Sequence, residues 1–205
     1  MERTPRLGPT GTQRPTGRFA RSVALVMPSP LFRPLPFPDS IAMDHILPPD
    51  SADEIGRRVL RLVENVRSRA DLSPQRVEQL TGIKVEYNPD DRNEYGFSGQ
   101  LTDAWAYNLV SLPERDGSAP SRLMFSFDDE SRAEADMGPI CGLDFDDYAA
   151  ALAAAGYRVA PARGKHDRVL YWDFSRDEVS VQVYVRGEND DRADHACVSR
   201  LIINA

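Results

Sequence analysis

Val179-Ser180-Val181-Gln182-Val183-Tyr184-Val185 alternates apolar and polar residues without a break. Period two puts the four valines on one side of an extended strand and Ser180, Gln182 and Tyr184 on the other. A strand with one dry and one wet face belongs in an antiparallel sheet, because parallel sheets are covered on both faces. Working outward, Leu123-Met124-Phe125-Ser126-Phe127 repeats the pattern, and Trp105, Tyr107 and Leu109 alternate with Ala106 and Asn108. Residues 83–87, 95–101, 169–174 and 198–203 complete the predicted strands, the second of them broken by glycine.

Helices precede each run of strands. Ser51 stands three residues before Glu54, a capping-box spacing, and Ile55, Val59, Leu62, Val63 and Val66 follow on one helical face. A short second helix is framed by Ser73 as cap, Pro74 at its first position and Gly82 at its end. A third runs over 145–155, with Asp144 as N-cap, Asp147 at N3 and Gly156 at its close. Gly82-Ile83-Lys84-Val85 parallels Gly156-Tyr157-Arg158-Val159. The expected fold is therefore α+β: an antiparallel sheet with helices on one face, in two related helix-then-strands halves, about 43–130 and 140–205.

The chain carries a net charge of −7, unevenly spread. Residues 1–42 hold six Arg against Glu2 and Asp39, leaving −11 on the remainder. They also hold eight of the sixteen prolines, and Pro28, Pro30, Pro34, Pro36 and Pro38 forbid helix. This segment reads as a disordered Arg/Pro-rich tail or a ligand for an aromatic-lined groove. Met27 and Met43 are also candidate internal starts, so the tail itself is in question as native sequence. The apolar run Val23–Met27 is too short for a secretory signal, and no stretch approaches the roughly 20 apolar residues of a membrane span. A domain this acidic either uses its charge only to stay soluble, or repels nucleic acid and anionic membranes and attracts basic proteins. The expectation is a cytoplasmic protein, periplasmic if the N-terminus is misassigned, with Cys141 and Cys197 as free buried thiols in the first case and able to pair in the second.

Candidate chemistry is sparse. His195 lies beside Asp194 and two residues before Cys197, which could pair a nucleophile with a base. Side chains at i and i+2 are poorly oriented for proton transfer, so the reading is a loop histidine beside a core cysteine. Asp144, Asp146 and Asp147 could hold a hard cation but are accounted for as helix-start residues. Arg158, Arg163, Lys165 and Arg168 surround Gly164-Lys165-His166 without a phosphate-loop pattern. No triad, zinc spacing or nucleotide loop is present, so no catalytic residue, metal or cofactor is assigned. Trp172, sharing a face with Leu170 and Phe174, is expected in the core. Tyr184, sharing a face with Ser180 and Gln182, is an exposed interface candidate.

From Leu72 to Asp128 the order is a short capped helix with Val77 and Leu80, the terminating Gly82, strands carrying Tyr95 and Trp105-Ala106-Tyr107, and the hairpin strand Leu123–Phe127. This resembles the helix–helix–strand unit of the outer-membrane assembly lipoprotein family and of the β-lactamase inhibitor protein, which carries two such units. The resemblance implies a fold used to bind other proteins, as in some bacterial immunity proteins. The expected function is non-enzymatic: an immunity or inhibitor protein that occludes a basic bacterial effector through Asp90, Asp91, Asp128, Asp129, Glu130, Tyr184, Glu188, Asp190, Asp191 and Asp194. The alternatives are a small enzyme with its site in the groove between the halves, and a scaffolding domain recruited through the tail.

Overall fold

The computed structural model describes residues 51–131 and 134–205; the tail expected over 1–42 lies outside them. Helices α1 (Ala52–Asn65) and α2 (Pro74–Thr81) precede strands β1 (Glu86–Tyr87), β2 (Tyr95–Gln100), β3 (Trp105–Leu112) and β4 (Arg122–Asp129). Helix α3 (Phe145–Ala154) precedes β5 (Arg158–Arg163), β6 (Val169–Arg176), β7 (Val179–Gly187) and β8 (Ala196–Asn204). The fold is α+β, and each half is a helix, a left-handed glycine and a four-stranded meander; Gly82 has φ 65° and Gly156 φ 90°.

All eight strands form one antiparallel sheet in the order β1-β2-β3-β4-β8-β7-β6-β5. The two meanders join along their fourth strands, from Arg122↔Asn204 to Ser126↔Arg200. The groove expected between the halves is thus replaced by a continuous ladder, because β4 and β8 each still had an unpaired edge to satisfy.

Alternation decides which face is covered. Leu109, Phe125, Val181, Val183, Leu201 and Ile203 are fully buried beneath Ile55, Val59, Leu62 and Val63 of α1. Each such side chain contributes about 1.5–3 kcal/mol. The opposite face carries Tyr171, Tyr184, Arg200, Asn108 and Ser98, and no described helix covers it. Arg176 closes the helix layer, donating to Val66 O at 2.5 Å and Ala155 O at 2.6 Å, beyond the ends of α1 and α3. A cation there meets carbonyls that the helices leave unpaired.

Three local expectations need correction. Strand β5 was not among the predicted strands: Pro161 and a largely exposed pattern hide it, and both suit the outermost strand of a sheet. The predicted strand at 83–87 shortens to Glu86–Tyr87 because Ile83 and Val85 belong to the chain entering from α2. Trp172 is only partly buried, against Phe145 at a ring distance of 5.1 Å, and Leu170 is 51% exposed.

Candidate functional site

The segment after β4 does not wander between the halves; it runs back along the β7–β8 hairpin. Met137 N donates to Glu188 O at 2.8 Å, Asn189 Nδ2 to Asp136 Oδ2 at 2.9 Å, and Arg186 to Ala135 O. A short 3₁₀ turn at Gly138–Ile140 then delivers Cys141, and Asp144 forms a β-bridge with Cys197. Cys141 and Cys197, 56 positions apart with Cα atoms at 5.1 Å, form a disulfide. Of the two states the sequence left open, the structure holds the pair and not the favoured free thiols, because the fold joins the two segments by the Asp144↔Cys197 bridge and the Met137–Glu188 hydrogen bond.

His195 sits against this disulfide. Its Nδ1 lies 2.5 Å from Glu188 Oε2 and 3.7 Å from Cys141 Sγ, and its Nε2 lies 3.1 Å from Asp144 Oδ2. Two carboxylates, Glu188 first and Asp144 second, raise the imidazole pKa by favouring the charged ring. Asp144 is held below the usual carboxylate range, first by the Asp147 N–H and then by His195. The capping reading of Asp144 is correct as far as it goes: it accepts from Asp147 N at 3.0 Å, and Asp147 returns the contact as a capping box. Its second oxygen serves His195. Glu188 also meets Arg192 at 2.5 Å. Cys141, Glu188, His195 and Cys197 each offer a donor atom, all within 4.8 Å of one another.

Sequence reasoning placed His195 beside Cys197 but not Cys141, Glu188 or Asp144 around it. Cys141 and Asp144 come from the stretch before α3 and Glu188 from the start of the hairpin loop that ends at His195, and no spacing rule connects them. The usable signal was the pairing of the chain's two cysteines with a histidine two residues from one of them.

The predicted acidic surface divides. Asp128 and Asp129 end β4 and Glu130 follows it, and the loop carrying Asp190, Asp191 and Asp194 adjoins them through Ala135, whose N–H reaches Asp129 Oδ2 at 2.7 Å and whose carbonyl takes Arg186. A cleft of about 370 Å³ opens here, lined in part by Glu134, Asp136, Arg186, Asn189 and Asp190. Hydrogen bonds, the Ser131 hydroxyl first for Asp129 and the Gly138 N–H first for Asp136, hold these two carboxylates below the usual carboxylate range. Asp90 and Asp91 lie at the opposite end, in the β1–β2 turn, where Asp91 Oδ1 accepts from Asn93 N at 2.8 Å. Glu188 leaves the predicted surface: it is 8% exposed and points inward to His195. Tyr184 lies on the open sheet face as expected but is half-buried, its ring 5.3 Å from Tyr171, with the Arg200 guanidinium 5.9 Å away.

No family of proteins, curated protein or solved structure matches the chain. Among the described residues, no helix is long and apolar enough to cross a membrane.

Proposed function

We propose that this domain is a protein-binding module acting by occlusion, an immunity or inhibitor protein for a bacterial effector with a basic active-site cleft. The observation that carries the reading is the gathering of Asp128, Asp129, Glu130, Asp136, Asp190, Asp191 and Asp194 at one end of the sheet, beside the open-face group of Tyr171, Tyr184 and Arg200. Carboxylates clustered on one side steer a basic partner and raise its association rate. Tyrosine and arginine are the residue types that most often anchor an interface. Asp90 and Asp91, at the far end, fall outside the proposed contact.

The test begins with a tagged full chain used as bait in lysate of the source organism and eluted with salt. The recovered basic protein is then purified, and its activity measured with and without the domain. Inhibition at stoichiometric domain is the expected result. Replacing Asp190, Asp191 and Asp194 with Asn should slow association about tenfold at low salt and flatten its salt dependence, whereas D90N/D91N should change neither. A partner whose activity is untouched, or equal rates for the two variants, would remove the reading.

A further inference from the structure

The cluster around His195 carries a second, independent reading. We propose that reduction of the Cys141–Cys197 disulfide converts it into a tetrahedral zinc site, with both sulfurs, His195 Nδ1 and Glu188 Oε2 as ligands.

The donor atoms already converge. All four lie within 4.8 Å of one another, and the donors of a tetrahedral zinc ion with these ligands stand roughly 3.3–3.8 Å apart. Only short movements are needed: the sulfurs separate when their bond breaks, and the 2.5 Å contact between His195 and Glu188 opens to admit the ion. Thiolate and imidazole are donors that zinc favours over calcium or magnesium. The ring is oriented for the task, since Nδ1 faces the sulfurs while Nε2 meets Asp144 Oδ2 at 3.1 Å. A carboxylate behind the ligating histidine fixes its tautomer and strengthens it as a donor. Asp144 is itself immobilised as the N-cap of α3.

The surroundings suit both states. The Asp144↔Cys197 bridge and the Met137–Glu188 hydrogen bond hold the two segments together without the disulfide. The His195 side chain is 29% exposed, which gives the ion a route in from solvent. Two thiolates and one carboxylate around Zn²⁺ leave one negative charge, which the Arg192 guanidinium on Glu188 offsets. The chemistry balances with a dithiol reductant. Two electrons and two protons pass from the dithiol to the cystine, giving two thiols and an oxidised cyclic disulfide. Zinc then displaces both thiol protons to solvent. The cross-link between the link segment and the β7–β8 hairpin is covalent under oxidising conditions and metal-mediated under reducing ones.

The full chain, reduced with a dithiol and freed of it without oxygen, is titrated with Co²⁺ and then Zn²⁺. One Co²⁺ per chain is expected, with the visible bands of tetrahedral cobalt and a near-ultraviolet thiolate charge-transfer band, both abolished by one equivalent of Zn²⁺. The oxidised chain should show neither band. Cys197→Ser should weaken binding at least a hundredfold. Asp144→Asn keeps the helix cap, for which Asn serves as well as Asp, and should weaken zinc binding roughly ten- to a hundredfold through loss of the carboxylate behind His195. If reduction loosens the fold, one equivalent of Zn²⁺ should restore the near-ultraviolet circular dichroism. No cobalt uptake, an octahedral spectrum indifferent to Cys197→Ser, or a reduced chain that zinc fails to restore would each overturn the proposal.

Discussion

The third and fourth strands of each meander are joined by a hairpin, and the two hairpins differ in almost everything but position. Residues 113–121, between β3 and β4, close mainly on themselves: Gly117 turns at φ 75°, Asp116 Oδ1 accepts from Ser118 N at 2.9 Å, and Ser121 pairs with Glu114, while single side-chain hydrogen bonds arrive from Asn93 (to Gly117 O) and Arg69 (to Ser118 Oγ). Residues 188–195, between β7 and β8, bury Glu188, set His195 between two carboxylates and lie next to a disulfide. Two halves with the same layout therefore supply a scaffold twice and chemistry once. The difference comes from the segment after β4, which exists only once and docks on the second hairpin.

The comparison can be broken most sharply at its covalent tie. Replacing Cys141 and Cys197 together with Ala should cost about 4 kcal/mol in urea unfolding, the loop-closure entropy of a 56-position separation. An unchanged midpoint would mean that the backbone contacts alone hold the hairpin. Glycines give the next test. A Cβ on Gly187 would lie 2.5 Å from Ala193 O, so Gly187→Ala should cost about 2 kcal/mol. Gly117 has open space around it but a left-handed φ, so Gly117→Ala should cost only about 1 kcal/mol. Equal costs would erase the distinction between a hairpin whose arms pack tightly on one another and one that turns in open space.

The smallest effect, with the clearest sign, lies in pH. Asp116 has its pKa lowered, chiefly by the Ser118 hydroxyl, so its contribution is present above its unfolded value of 3.8 and lost as pH falls through the folded value. His195 has its pKa raised by Glu188 and Asp144, against the opposing charge of Arg192. Its contribution is complete below its unfolded value of 6.5 and lost as pH rises through the folded value. The two hairpins should thus weaken in opposite directions. Nuclear magnetic resonance titration of the His195 ring should give a midpoint above 6.5. His195→Gln should remove the neutral-pH part of the stability profile and leave the acid part.

Period-two alternation carried most of the sheet, because a half-covered strand writes its two environments into neighbouring residues. Val179–Val185 and Leu123–Phe127 were legible for that reason, and the paired Gly82 and Gly156 announced the repeated layout. β5 was not, since both its faces see solvent along most of its length and Pro161 argued against it. Pairing of β4 with β8 was equally silent, because local patterns set which face is buried and not which strand is the neighbour. The candidate site shows the same boundary. Asp144 was legible as a cap from its own helix, whereas its contact with His195 depends on how two distant segments fold together. Glu188 looked like one more loop acid until the hairpin turned it inward.

The central position of β8 has a consequence for how the chain is made. β4 meets its inner neighbour only after residues 130–204 have been synthesised, roughly 4–15 s later at cellular rates. For that interval a finished first meander on the ribosome presents β4 as a bare edge beside Leu123, Phe125 and Phe127. Such an edge invites strand exchange with a neighbouring nascent chain. Expression yield should therefore respond to chaperone supply and translation speed more than the stability of the finished sheet suggests.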